Sequence, residues 1–155
     1  LSDRGCKYIT VYEPFGIDPK LSKVRWVNDF AEIGKELFDW IFMIEVVEHL
    51  LNPKMELQRI HQHLAPNGKL LITTPNAKGW RARKESFNWR EAQNPTHINL
   101  FSEKMLEKCI LDAGFSSAKR ILRPVKYTNN RLESAIVGIS QVIGIDGGLR
   151  FLAKK

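Results

Sequence analysis

The sequence predicts an α/β domain built on a mostly parallel sheet, and three observations predict it. The apolar pattern switches repeatedly between a strand-like and a helix-like period along the chain. The run Phe38-Asp39-Trp40-Ile41-Phe42-Met43-Ile44 is almost continuously apolar, as expected of a strand buried on both faces. Turn-forming groups, Glu13-Pro14, Asn52-Pro53 and Pro66-Asn67-Gly68, punctuate the pattern where one element gives way to the next. Strands alternating with helices at this spacing argue for a layered sheet whose ligands sit beyond the C-terminal ends of its strands.

Each element has its own reason. Residues 7–12 are β-branched and aromatic and close at Glu13-Pro14, which predicts a strand. Residues 24–27 form a second short strand ending at Asn28-Asp29, and 38–44 a third. Residues 54–64 place Met55, Leu57, Ile60, His61 and Leu64 on one helical face, with Asn52-Pro53 marking the start. After the turn at Pro66-Asn67-Gly68, residues 69–74 read as another buried strand. Residues 77–99 show no period and predict a long loop, a feature that compact domains usually keep for function. Ser102 reads as the N-cap of a helix carrying Met105, Leu106, Cys109, Ile110 and Ala113, with Gly114 at its end. Residues 115–125 are moderately strand-like, 129–143 fit an amphipathic helix, and 149–152 a last short strand.

At 155 residues, with 43% hydrophobic and 26% charged residues, one domain over 1–155 is expected, with no repeat or linker. No stretch approaches the roughly 18 uninterrupted apolar residues of a membrane span, and the N-terminus lacks the apolar core of a cleavable signal. The absent initiator Met suggests a processed or truncated chain. Cys6 and Cys109 belong to no metal or redox spacing, so reduced thiols and a cytoplasmic location are expected. The net charge of +7 has one local concentration, Lys78, Arg81, Arg83, Lys84 and Arg90, interleaved with Trp80, Phe87 and Trp89. That mixture suits nucleic acid, an anionic small substrate or a solvated loop; a small molecule is the expected partner, not nucleic acid or a membrane. The aromatics either wall an acceptor pocket or anchor the loop.

The strand exits gather the candidate chemistry: Glu13, Asp29, Ile44-Glu45 and Thr74-Pro75-Asn76. A carboxylate leaving a strand can accept hydrogen bonds from both hydroxyls of a ribose. Glu13 is preferred to its rival Asp18, because Asp18 is too close to Val24 to leave room for a helical return.

Residues 38–50, FDWIFMIEVVEHL, resemble the fourth-strand motif of class I S-adenosylmethionine-dependent methyltransferases, in which FD-x-I opens a strand and E-x-x-E-H follows it. Other blocks match in order. Residues 64–72 look like the L-x-P-G-G-x-L-x-I entry to the fifth strand and Thr74-Pro75-Asn76 like its exit. His97-Ile98-Asn99-Leu100-Phe101-Ser102, followed by Ala113-Gly114-Phe115, looks like the downstream H-x-x-x-F-S and A-G-F block. The similarity covers roughly residues 5–125. The family's first strand and the glycine-rich loop after it are absent, and would lie upstream of Leu1.

The resemblance implies a Rossmann-like, mostly parallel sheet with helices on both faces, lacking its first strand and first helix. It implies a single partial methyltransferase domain, with residues 77–100, and further residues within 126–145, forming the acceptor site. The implied reaction is methyl transfer from S-adenosylmethionine to a small-molecule acceptor, an O-methylation among the options. Glu13 (or Asp18) would hold the ribose, Asp29 and Phe30 would lie by the adenine, and Ile44 and Glu45 would border the methionine. His49, His97 and Glu48 are the catalytic candidates. If residues 45–50 begin a helix, Glu45 shares a face with Glu48 and His49, and His97 could complete a divalent-cation site. That set resembles metal-dependent O-methyltransferases acting on ubiquinone precursors and on the 3′-terminal ribose of small RNAs. The alternatives are a degenerate, non-catalytic binding domain of the same fold and a nucleotide-sugar or nicotinamide enzyme on a related one.

Overall fold

The computed structural model describes residues 8–122 and 138–155, which fall into two compact units that divide after Glu36. In the first, β1 (Ile9–Tyr12) pairs in parallel with β2 (Val24–Val27), Ile9 opposite Val24 and Tyr12 opposite Val27. The ladder runs one step further, the Glu13 N–H donating to the Val27 carbonyl at 3.1 Å. Among the described residues Val27 and Ile33 are its buried ones, and Tyr12 meets Phe30 edge-on with centroids 5.4 Å apart.

The helical return expected between these strands is not there. Pro14 and Pro19 interrupt residues 13–23, and Lys20 and Lys23 adopt left-handed backbone with φ of 57° and 66°. No run is left in which a helical turn can close. Gly16 is required in the turn that forms instead. A Cβ there would stand 2.3 Å from Glu13 Cγ and 2.7 Å from the Trp26 ring.

In the second unit, β3 (Phe38–Ile44), β4 (Leu64–Pro75), β5 (Ser117–Arg120) and β6 (Gly148–Lys154) form one sheet in the order β3-β4-β6-β5. β3 and β4 are parallel, and β6 runs against both β4 and β5. Three strands therefore point one way and only β6 is reversed, giving the mostly parallel α/β sheet.

Helices α1 (Pro53–Gln62) and α4 (Glu103–Asp112) bury Leu57, Leu106 and Ile110 in one core with Met43, Leu70, Ile72, Leu149 and Phe151. Each helix starts where the sequence marks it. Asn52 Oδ1 accepts from the Met55 N–H at 3.1 Å with Pro53 at the first position, and Ser102 Oγ accepts from the Met105 N–H at 3.4 Å. Fully burying one such leucine contributes about 1.5–3 kcal/mol, so this face dominates the unit's stability.

Three expectations are revised. The continuous apolar run of β3 does not mean burial on both sides: Met43 is buried, while Trp40, Phe42 and Ile44 on the other face remain about half exposed. Trp40 and Phe42 shield part of that face by stacking, with Lys69 Nζ lying 5.0 Å from the Trp40 ring centre. β4 begins earlier than expected, because Pro66-Asn67-Gly68 bulges from the strand and lets the register jump from Phe38–Leu64 to Trp40–Lys69. The loop at 77–99 contains α2 (Trp80–Glu85), a 3₁₀ turn (Ser86–Asn88) and α3 (Arg90–Gln93), each too short to display a period. The helix expected over 129–143 lies partly outside the described residues, of which 138–142 are helical; Cys6 lies outside them altogether. No described helix is long and apolar enough to cross a membrane.

Candidate functional site

β3 ends at Ile44, and Glu45 turns the chain out of the sheet with a left-handed φ of 54°. Its N–H still donates to the Thr73 carbonyl at 3.0 Å, and its carboxylate accepts from Thr73 Oγ1 at 2.9 Å. The next residues form a 3₁₀ turn, Val47–His49, that buries Val47 and Glu48 and leaves His49 exposed. No helix runs from residue 45, so Glu45 does not share a helical face with Glu48 and His49.

Glu48 is 1% exposed, an expensive place for a carboxylate. Its Oε2 accepts from Thr74 Oγ1 at 2.9 Å, while its Oε1 is buried without any hydrogen-bond partner. Burial pushes its pKa up from the ordinary 4.5 and the Glu45 charge adds to that, against hydrogen bonds from its own backbone and Thr74 and the charge of His49.

The two histidines present matched tautomers. His49 Nδ1 lies 2.9 Å from the Thr96 carbonyl and His97 Nδ1 lies 3.1 Å from the Glu91 carbonyl. A carbonyl only accepts, so both Nδ1 atoms carry a proton, and in the neutral ring Nε2 is then the atom with the lone pair. The rings meet edge-on with centroids 4.8 Å apart. His97 arrives there because residue 99 is stapled to the 3₁₀ turn: the Asn99 N–H donates to the Glu48 carbonyl at 3.0 Å and its Nδ2 to the Leu50 carbonyl at 2.6 Å. Phe101 and Ser102 are then buried and the chain enters α4.

One ligand atom each from Glu48, His49 and His97 falls within 4.8 Å of the others. A buried carboxylate and two imidazoles are a donor set that suits a divalent cation chemically. Glu45 stands outside that group, engaged with Thr73.

Beside the cluster lies a cleft of about 350 Å³ lined by Glu45, Asn76, Arg81, Trp89, Arg90 and Glu91 among others. Asn76, 1% exposed, builds its floor: Nδ2 donates to the carbonyls of Gly144 and Asp146 at 3.2 and 2.9 Å, and Oδ1 accepts from the Lys78 N–H at 3.0 Å. Of the loop aromatics, Trp89 is buried and anchors the segment, whereas Trp80 and Phe87 are exposed.

The remaining candidates lie in the first unit. Glu13 is exposed at the end of β1, where Oε1 accepts from the Phe15 N–H at 3.4 Å. Asp18 is bound by Lys20, whose backbone N–H holds its pKa below the ordinary 3.8. Asp29 caps the 3₁₀ turn Phe30–Ile33, accepting from the Ala31 N–H at 2.8 Å in a reciprocal box with Glu32. Phe30 packs on Tyr12. Sequence reasoning misses the roles of Thr73, Asn99 and Arg150; a lone threonine, asparagine or arginine carries no spacing signal, and only tertiary contact gives each a role, across the sheet for Thr73 and Arg150 and to the 3₁₀ turn for Asn99.

The fold and cluster together define a Rossmann-like α/β domain with its polar groups at the exits of parallel strands. A family model described as "Methyltransferase domain" matches residues 1–119, and the chain belongs to that family. Comparison with curated proteins gives no match. Among solved structures, an S-adenosylmethionine-dependent methyltransferase of Mesorhizobium loti is similar at a TM-score of 0.64 and 10% identity, over 99% of this chain and 83% of that one. A SAM-dependent methyltransferase of Thermotoga maritima is similar at 0.60 and 15% identity, over 86% of this chain and 65% of that one. Phosphoethanolamine N-methyltransferase 2 of Haemonchus contortus, solved with S-adenosyl-L-methionine, is similar at 0.53 and 21% identity, over 88% of this chain and 38% of that one. The chain therefore spans less than two thirds of the last two structures.

Proposed function

We propose that this chain takes part in S-adenosylmethionine-dependent methyl transfer to a small-molecule acceptor, both units belonging to one domain with residues 77–100 forming the acceptor side. The observation that carries the reading is the meeting of Glu48, His49 and His97 beside a cleft that Glu45 also lines. The family match, which runs through both units, supports it. In this reading Glu13 holds the ribose with Asp18 as its rival, Asp29 and Phe30 serve the adenine, and Ile44 and Glu45 border the methionine. Asp29 can do so with one carboxylate oxygen, since its Oδ1 is the atom that caps the turn.

The cofactor supplies a methyl group on a sulfonium, which an in-line nucleophile removes while the C–S electron pair returns to sulfur. The chain positions that nucleophile and takes its proton. His97 is the better base of the two histidines. Glu91 Oε2 lies 3.6 Å from its Nδ1, where it steadies the imidazolium formed on proton uptake and offsets the cost of burying it. His49, the more exposed of the two, orients the acceptor.

A divalent cation is the second form of the same site, favoured by the orphaned Glu48 Oε1. Glu48, His49 and His97 would hold it, and it would lower the pKa of an acceptor hydroxyl.

Calorimetry with S-adenosylhomocysteine on the full chain tests the reading. Saturable binding that weakens in Glu13→Gln is expected. Binding of a dinucleotide with no heat from S-adenosylhomocysteine would overturn it.

A further inference from the structure

The cleft beside Glu45 continues into a second hollow of about 500 Å³, the two sharing Arg81, Gly147 and Gly148. The two lobes differ in charge. Glu45, Glu85 and Glu91 face the first, and Arg90 on its rim is already paired with Glu91. The second is lined by Arg81, Arg150 and the half-exposed ring of Trp80.

Its one carboxylate, Asp146, accepts from Arg120, which also donates to Glu103 at 2.6 Å. Arg150 lies near enough to favour the ionised form of Asp146 but forms no ion pair with it, and neither Arg81 nor Arg150 donates to any carboxylate among the described residues. Two guanidinium groups, neither of them hydrogen-bonded to a carboxylate among the described residues, thus share one concave surface, a donor arrangement that matches a carboxylate or phosphate. Gly147 and Gly148 keep the wall between the lobes free of side chains: a Cβ on Gly147 would meet nothing within 4 Å, and one on Gly148 only atoms at 3.8 Å and beyond.

The register fixes the span. Ile44 pairs with Thr73 and Thr73 with Arg150, so Arg150 lies two strands from the exit at Glu45, about 10 Å at ordinary strand spacing. One small molecule bridges that distance.

We propose that the Arg81–Arg150 lobe binds an anionic group, carboxylate or phosphate, of the methyl acceptor, with Trp80 against its body and its nucleophilic end toward Glu45. The assignment of the anion to an acceptor rests on the methyl-transfer reading above; the anion site itself does not.

Nitrogen-15 NMR of the full chain, titrated with phenyl phosphate, with benzoate and with benzyl alcohol, tests the proposal. Phenyl phosphate or benzoate should shift the Gly147 and Gly148 amides and the Trp80 indole, and benzyl alcohol should not. Arg150→Gln and the exposed-site variant Arg81→Gln should each weaken the anion by about tenfold, the worth of one charge-assisted hydrogen bond, with S-adenosylhomocysteine affinity unchanged. Tighter phenyl phosphate identifies a phosphate-bearing ligand, and tighter benzoate a carboxylate. Equal binding of benzyl alcohol, or anion affinity indifferent to both variants, would overturn the site. If the anions bind as expected while S-adenosylhomocysteine does not, the methyl-transfer reading fails and the anion lobe stands.

Discussion

The two ends of the β3–β4 pair are built to different rules. At the end where β4 begins, the polar groups are routine turn chemistry: the Phe38 N–H donates to the His63 carbonyl at 2.8 Å, and Gly68 fits where a Cβ would stand 2.8 Å from the Ala65 carbonyl oxygen. At the end where β3 and β4 finish, a carboxylate is buried with one oxygen unpaired, two histidine rings meet edge-on beside it, and Glu45 sits in left-handed backbone. The first end also has a left-handed residue, but it is Asn67, of a type that tolerates that backbone. The second keeps groups in states that cost stability, and such cost collects where a ligand is to be met.

The largest expected effect separates the ends outright. If the cluster takes a cation, Mn²⁺ or Zn²⁺ at a hundred times its Kd should stabilise the chain by about 2.7 kcal/mol, read as a rise in melting temperature. Glu48→Gln should reduce that affinity roughly a hundredfold or more. Without cation the same variant should be no less stable than the parent at neutral pH, since glutamine can still accept from Thr74 and carries no buried charge. The sign follows from a raised folded pKa: the carboxyl's contribution is fully present below the ordinary 4.5 and is lost as pH rises through the raised value. Glu48→Gln should flatten that loss. A variant markedly less stable at pH 7 than the parent would mean the charge is compensated in a way the geometry does not contain.

Next in size is Asn76→Ala, at the same end but without a chemical role. It strips two carbonyls and one N–H of their partner, so about 1–3 kcal/mol should be lost in urea unfolding. Cation affinity should change little. If it falls as far as in Glu48→Gln, the floor and the cluster are one unit and the distinction between supporting and functional polar groups fails there.

How much of this was readable follows the same division. β2 and β3 were legible residue for residue, and Ser102 and Asn52 as caps, because strand runs and caps are local codes. The gathering of Glu48, His49 and His97 was legible only as a family resemblance, since 47 residues of chain separate His49 from the carbonyl that orients it. The 3₁₀ turn was not legible. One turn has too few residues to distinguish three per turn from 3.6, and that difference moves Glu45 off the cluster. The reversed direction of β6 and the place of Arg150 beside Thr73 are pairing facts that no local window holds. Trp40, Phe42 and Ile44 misled for the opposite reason: composition reports what a side chain prefers, not whether anything described covers it.

The smallest effect belongs to the quiet end. Asn67 holds φ at 63° in the bulge that lets β4 change register. Asparagine tolerates that conformation better than alanine, which meets the left-handed penalty of about 1–2 kcal/mol. Asn67→Ala should therefore lower stability by about 1 kcal/mol in urea unfolding, while Asn67→Gly should stay within a few tenths of the parent, relief of strain offsetting the extra freedom of the unfolded chain. Neither should move cation or anion affinity, because the bulge lies at the opposite end of β4 from both lobes. An affinity change in Asn67→Ala alone would show that strand register sets the geometry at the far exit, and the two ends would then have to be treated as one mechanical element.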